Sequence, residues 1–198
     1  QVIIAASRDD TLPILTGVRM EIEDDLITFL ATDRYRLALR ELSWKPATSG
    51  ISTSALVKAK TLNEVAKTLG GGGDLNIAFS DDSELIGFES GGRRTTSLLV
   101  DGDYPKIRSL FPDNTPIHAT VETSALVEAV RRVSLVAERN TPVRLAFTDG
   151  QVTLDAGTGE DAQASEALEA SLIGDDITVA FNPHYLSEGL GAFPSKYV

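Results

Sequence analysis

Short runs in which apolar and polar residues alternate fill much of the chain, at 18–22, 26–30, 75–79 and 152–154. A period of two puts every second side chain on one face, so each run reads as a half-buried β-strand. Turn signals separate the runs at Glu23-Asp24-Asp25, Ser80-Asp81-Asp82-Ser83, Glu89-Ser90-Gly91-Gly92, Thr148-Asp149-Gly150 and Gly174-Asp175-Asp176. Strands punctuated in this way predict antiparallel hairpins whose paired acids sit at solvated tips, where Asp bonds its own backbone. None of these acidic clusters has the spacing of a calcium loop.

Four segments leave the period of two and read as helices. Residues 1–7 form the tail of one. Residues 60–69 gather Leu62, Val65, Ala66 and Leu69 on one face and Lys60 and Lys67 on the other, with a glycine run at 70–73 as the stop. Residues 123–138 carry Leu126, Val130, Val133 and Ala137 at helical spacing, with Ser124 placed to cap the start. Asn182 followed by Pro183 opens a last short helix through residue 190, with Asn as N-cap and Pro in the first turn.

The chain also repeats itself. Gly17-Val18-Arg19-Met20-Glu21-Ile22 returns as Pro142-Val143-Arg144-Leu145-Ala146-Phe147, an offset of 125, and residues 60–69 match 184–193 at an offset of 124. Leu37-Ala38-Leu39-Arg40-Glu41-Leu42-Ser43 echoes Ser165-Glu166-Ala167-Leu168-Glu169-Ala170-Ser171. Ordered matches at a near-constant offset predict two copies of one domain. The boundary is expected near 116–119, giving domains at 1–117 and 118–198. The first copy runs on past its Lys-bearing helix, whereas the second stops just beyond the equivalent helix. With Gln at position 1 and the single Met at 20, a piece of a longer protein is expected, lacking its first part and its last strands.

Composition changes this picture little. The 198 residues are 42% apolar and 24% charged, enough for a real core in one or two domains. No apolar run is long enough to span a bilayer, so no membrane association is expected. Without cysteine there is no thiol catalysis and no thiolate metal site. A net charge of −11, spread evenly, repels nucleic acid, but a local basic face can persist within an acidic average.

Candidate chemistry is sparse. His118 and His184 have no evident triad or metal partners in the sequence and read as surface polar residues. Gly157-Thr158-Gly159-Glu160-Asp161-Ala162 fits a dinucleotide fingerprint in spelling only, because its acids would oppose a pyrophosphate. Two stretches stand out. Ala31-Thr32-Asp33-Arg34-Tyr35-Arg36-Leu37-Ala38 brackets an aromatic with two arginines, either to grip a peptide or an anion, or as a solvated loop whose Tyr covers an apolar neighbour. The proline-interrupted stretch 100–112 holds Tyr104, Ile107, Leu110 and Phe111, which should pin it to its own domain or to a partner.

These stretches, with Asp9-Asp10-Thr11-Leu12-Pro13-Ile14-Leu15-Thr16-Gly17-Val18 and Phe181-Asn182-Pro183-His184-Tyr185-Leu186, resemble the bacterial DNA polymerase III beta subunits, the sliding clamps. The matches keep the family's order along essentially the whole chain, and the Ala- and Thr-rich acidic style resembles an actinobacterial member. The resemblance implies an α+β DNA-clamp fold of repeated domains, each with two outer antiparallel sheets and paired inner helices. It makes 1–117 the middle domain and 118–198 a third domain truncated at its C-terminal end.

Several further expectations come from the resemblance alone. The function is that of a cytoplasmic, non-catalytic processivity factor of DNA replication, a homodimeric ring around duplex DNA without sequence preference. Its partners are the DNA polymerase III alpha subunit, the clamp loader and other proteins carrying clamp-binding peptides, and, in the full-length protein, a second clamp subunit. No cofactor and no metal are implied. The peptide pocket carries over to Leu15, Thr32, Arg34, Tyr35, Arg36, Leu37, Pro105 and Leu110, with Arg36 and the loop backbone orienting the peptide. DNA-facing positions are Lys58, Lys60, Lys67, Arg131 and Arg132, with Lys60 foremost, and the dimer interface is Leu135 and Val136. The sequence departs from some members at Leu12 and Ile14, which stand in place of Arg and Tyr, and at Arg34-Tyr35, in place of Gly-His. Two competing readings remain from the residues themselves: an enzyme using Asp33, Arg34 and Arg36 on an anion such as a phosphate ester, and an all-β ligand-binding module.

Overall fold

The computed structural model describes residues 1–71, 73–80, 82, 84–137, 141–157 and 162–198. Alternation first produces β1 (Gly17–Glu23), β2 (Leu26–Thr32), β3 (Leu37–Ser43) and β4 (Ser52–Lys58), an antiparallel sheet in the order β3-β2-β1-β4. The β1–β2 turn is Asp24-Asp25, with Asp24 at φ 49° and its carboxylate accepting from the Gly50 amide at 2.9 Å. Here an Asp takes the left-handed conformation that its short polar side chain tolerates.

One face of this sheet presents Val18, Met20, Ile22, Ile27, Ala31, Ala55 and Val57, all buried. Helix α1 (Ala59–Leu69) and a second sheet, β5 (Asn76–Phe79), β6 (Leu85–Ser90) and β7 (Arg93–Leu98), meet it there; Val65, Leu69, Ile86 and Phe88 join Met20 and Ile22 in one core. Leu62 is only partly buried and Ala66 is exposed, so the apolar face of α1 is narrower than its spacing predicted. Residues 1–7 form a 3-10 turn at Val2–Ala5 rather than an α-helix, packing Val2 and Ala5 against Val18 and Ala31.

A second compact unit, Pro112–Val198, follows the first, Gln1–Phe111. It contains β8 (His118–Val121), α2 (Thr123–Val133), β9 (Val143–Thr148), β10 (Gln151–Ala156), β11 (Ala164–Ile173), β12 (Ile177–Phe181) and α3 (Pro183–Gly191). Its sheet runs β12-β9-β10-β11-β8. The series β11-β10-β9-β12 therefore retraces β3-β2-β1-β4, followed in each case by a helix, as the sequence repeat predicts. Only the match of 37–43 to 165–171 is out of register, because the strand pairing sets Leu39, not Leu37, at the place of Ser165. Residues 118 and 119 lie within β8, paired to Ile173 and Leu172 of β11. The α+β reading of the fold holds, and the all-β alternative does not.

Helix starts differ from expectation at one place. Ser124 does not cap α2; the N-cap is Glu122, and the Ser124 hydroxyl donates to its carboxylate at 3.0 Å. The helix begins at Thr123, which already places Ser124 inside the first turn. α2 gives way after Val133 to a 3-10 turn at Ser134–Val136, and residue 138, the expected end, lies outside the described residues. At α3 the expectation holds: Asn182 Oδ1 accepts from the amides of His184 at 2.9 Å and Tyr185 at 3.2 Å, with Pro183 in the first turn.

Candidate functional site

The β2–β3 turn is braced from within. Asp33 Oδ1 accepts from the amides of Tyr35 at 3.0 Å and Arg36 at 3.1 Å, while Oδ2 accepts from Arg36 Nε at 2.9 Å. The Thr32 hydroxyl donates to the Arg36 carbonyl at 2.9 Å and accepts from the Arg34 amide at 3.1 Å. Such side-chain bonds imitate backbone turns and hold the loop in one shape.

A second brace arrives from far along the chain. The buried Tyr104 hydroxyl accepts from the Thr32 amide at 2.9 Å. Burial pushes its phenol pKa up, which keeps it neutral. Tyr104 and Ile107 pack with Leu30 and Leu56 on the sheet face opposite α1. Arg108 then ties the segment down, reaching Glu41 at 3.1 Å and Glu21 at 3.6 Å. Gly102 sits at φ 130°, a conformation that strains any other residue, and a Cβ there would lie 2.8 Å from Ile14 Cδ1 and push that side chain aside.

A third wall is the 3-10 turn Pro13–Thr16, held by the Leu15 carbonyl accepting from the Ser7 amide at 2.7 Å. Ahead of it, Thr11 donates to Asp9 through both amide and hydroxyl, and these bonds, with the Arg34 charge, hold the Asp9 carboxyl below its ordinary pKa. The three walls enclose a mainly apolar open cleft of about 480 Å³.

Of the expected pocket residues, the cleft gathers Leu15, Thr32, Arg34, Leu37, Pro105 and Leu110. Tyr35 and Arg36 are not among its lining: Tyr35 is 73% exposed, and Arg36 is half-buried in its ion pair with Asp33. Arg36 thus shapes the turn. The cleft adds Leu12 and Ile14, at the two positions noted as departures, and also Asp103 and Ile107. Alternation cannot reveal the last two, since they lie in an irregular segment folded back over the sheet.

The basic positions fall into three environments. Lys58 and Lys60 are exposed and line one hollow of about 650 Å³ together with Arg8, which sequence reasoning missed. They flank the start of α1, which has no acid in its first turn and no side-chain cap. Cations at a helix N-terminus oppose its dipole, so this placement costs stability. Lys67 lies 3.8 Å from Glu64 on the same helix. In the second unit Arg131 is exposed, whereas Arg132 is clasped by Glu166 and lies 3.8 Å from Glu128. That clasp raises the Arg132 pKa and lowers that of Glu166.

Leu135 and Val136 diverge: Leu135 is 82% exposed, while Val136 packs against the core of its own unit. His118 bonds Thr115 at 3.0 Å, and His184 lies 3.5 Å from Glu188, both exposed. Among the described residues no His, Asp and Glu cluster suits a metal, and no helix is long and apolar enough to cross a membrane. The glycine-rich fingerprint at 157–162 lies largely outside the described residues. The enzyme alternative finds no support, because both Asp33 carboxylate oxygens are engaged in bracing the turn.

Residues 1–106 match the family model of the DNA polymerase III beta subunit, central domain, and residues 108–198 match its C-terminal domain. The beta sliding clamp of Micrococcus luteus is 67% identical over 172 residues, covering 87% of this chain and 56% of that protein. That of Streptomyces coelicolor is 56% identical over 198 residues, covering 98% and 53%. The chain therefore spans about half the length of these curated relatives. Among solved structures, the DNA polymerase sliding clamp of Bacillus subtilis superposes with a TM-score of 0.90 at 28% identity, covering 100% of this chain and 52% of that one.

Proposed function

The chain belongs to the DNA polymerase III beta-subunit family, and from that premise we propose that it serves as a non-catalytic sliding clamp in bacterial DNA replication. In this reading it contributes a middle domain at 1–117 and a third domain from 118. Together with a second subunit it encircles duplex DNA and tethers the polymerase alpha subunit, the clamp loader and other proteins through short peptides. Replication of a bacterial chromosome places it in the cytoplasm.

The observation that carries this reading is the braced apolar cleft. Leu12, Ile14, Leu15, Leu37, Pro105, Ile107 and Leu110 converge from three segments, yet Leu110 remains 64% exposed. A concave apolar surface with few polar groups, already held open, suits aliphatic and aromatic peptide side chains. Pre-bracing lowers the ordering cost of binding.

The DNA-facing role falls to Lys58, Lys60, Lys67, Arg131 and Arg132, with Arg8 added beside Lys60. Retention by encirclement asks for few phosphate contacts, because many would add a steep salt dependence and oppose sliding. An acidic protein with a few exposed cations fits that demand. Leu135 is proposed to meet the neighbouring subunit, and Val136 supports it from within.

The test is titration of a fluorescent peptide of Gln-Leu-x-Leu-Phe type against the protein and Leu37→Ala. Saturable binding that weakens at least tenfold in the variant is the expected outcome. Equal binding by both proteins would remove Leu37 and the cleft from the peptide site. Incubation with a phosphate ester should give no turnover.

A further inference from the structure

Arg34 is one of only two residues other than glycine with positive φ among those described, and it lines the cleft. Its φ is 81°, a region that costs a Cβ-bearing side chain free energy and that glycine enters freely. The turn imposes this strain through the bonds at Thr32 and Asp33, none of which uses the Arg34 side chain. A large cation kept where glycine would be more comfortable points to work done by the guanidinium.

The surroundings say what that work is. The guanidinium lies 5.8 Å from the centre of the exposed Tyr35 ring, a cation–π contact that engages the face of the cation and uses none of its N–H donors. The Arg34 charge is felt by Asp9, but Asp9 accepts from Thr11 and makes no ion pair with Arg34 among the described contacts. Arg36, the neighbouring cation, is instead paired with Asp33. On the closing segment the cleft presents the opposite charge, Asp103. The rim is therefore polar in a directional sense, positive at the β2–β3 turn and negative at residue 103.

Building on the peptide-binding reading above, we propose that Arg34 selects partner peptides carrying a carboxylate beside their apolar anchors, and that Arg34 and Asp103 together set the direction in which the peptide lies. The apolar floor supplies affinity, while the charged rim chooses among apolar peptides and orients them. A guanidinium suits this task because it offers several donors in a fixed fork.

The experiment uses Gln-Leu-Ser-Leu-Phe extended by Ala on both sides, with a single Glu or its neutral counterpart Gln placed at each flanking and central position. Binding of each pair to the unaltered protein, Arg34→Gly and Arg34→Lys is measured at low and high salt. At one or two adjacent positions the Glu peptide should bind about two- to fivefold tighter than its Gln counterpart, and the gap should shrink with salt. Arg34→Gly, which relieves the backbone, should bring the Glu-to-Gln affinity ratio within that variant to about one, whatever its effect on the Gln peptide alone; Arg34→Lys should keep part of the ratio. If Glu and Gln peptides bind equally at every position, the selection by Arg34 is overturned and the cleft reading stands. If the preference persists in Arg34→Gly, another group reads the carboxylate and the inference fails. If no peptide binds at all, the cleft reading falls, and this inference with it.

Discussion

The two copies of the sheet can be compared row by row, because their registers correspond. In the first unit, one row across the sheet reads Leu39, Leu30, Arg19 and Leu56. In the second, the same row reads Ser165, Asp155, Arg144 and Ala180. The arginine persists, and the three leucines become a serine, an aspartate and an alanine. One row further, Glu21, Thr28 and Glu41 answer to Ala146, Thr153 and Ala167. The leucines hold Tyr104 and Ile107, and the two glutamates hold Arg108. The second unit has neither set at these places. A single sheet design thus presents an apolar row beneath a covering segment on one copy and a polar row on the other, and the outward-facing side chains decide which of the two faces can hold such a segment.

The strongest way to break this contrast is to exchange the rows. Leu30→Asp buries a carboxylate beneath Tyr104, opposite an Arg19 already paired with Glu21 at 2.8 Å, and should destabilise the first unit by about 3 kcal/mol or more. Asp155→Leu, on the open face, should shift stability by no more than about 1 kcal/mol. Amide exchange reads the two units separately: protection should collapse in β1–β4 for the first variant and change little in β9–β12 for the second.

A smaller effect should follow Tyr104→Phe, which keeps the ring and removes only the bond to Thr32. The expected loss is about 1–2 kcal/mol, confined to the first unit, together with weaker peptide binding as the turn loosens. Burial raises the Tyr104 pKa above its ordinary value near 10, so the neutral form stabilises the fold. That stability is present below about pH 10 and is lost as pH rises through the raised value. Ultraviolet titration should show a late phenolate step that Tyr104→Phe removes.

The smallest effect belongs to the exposed pair of the second unit. Arg132 holds the Glu166 carboxyl below its ordinary value of 4.5, so the contribution of the pair is present above about pH 4.5 and fades as pH falls through the lowered value. Arg132→Ala should raise the Glu166 midpoint in a carboxyl NMR titration and leave stability at neutral pH nearly unchanged.

Much of the fold can be read along the chain because its causes are local. Alternation marks the strands, and Asn182-Pro183 marks a helix start whose bonds span three residues or fewer. The repeat at offset 125 anticipates the matching strand orders, since equivalent strands keep equivalent apolar faces. Where a helix begins one residue earlier than its most attractive cap, as at Ser124, local propensity yields to the pairing of residues 121–123 with Lys196 and Val198. The pocket residues are a mixed case: the resemblance nominates Leu15, Thr32, Arg34, Tyr35, Arg36, Leu37, Pro105 and Leu110, and it sets Arg36 ahead of Arg34 by giving Arg36 the orienting role. The ion pair with Asp33 reverses that order.

By itself the sequence determined the strands and the acidic balance, which follow from spacing and composition over a few neighbouring residues; comparing distant stretches gave the repeat, and matched motifs gave the resemblance to a family. The tertiary structure alone decided that Tyr104 meets Thr32, that Arg108 bridges Glu21 and Glu41, and that Arg34 rather than Arg36 lines the cleft. The first of these bonds joins residues 72 positions apart. No local period encodes such a meeting; it depends on an irregular segment folding back over a sheet whose apolar outward face can hold it.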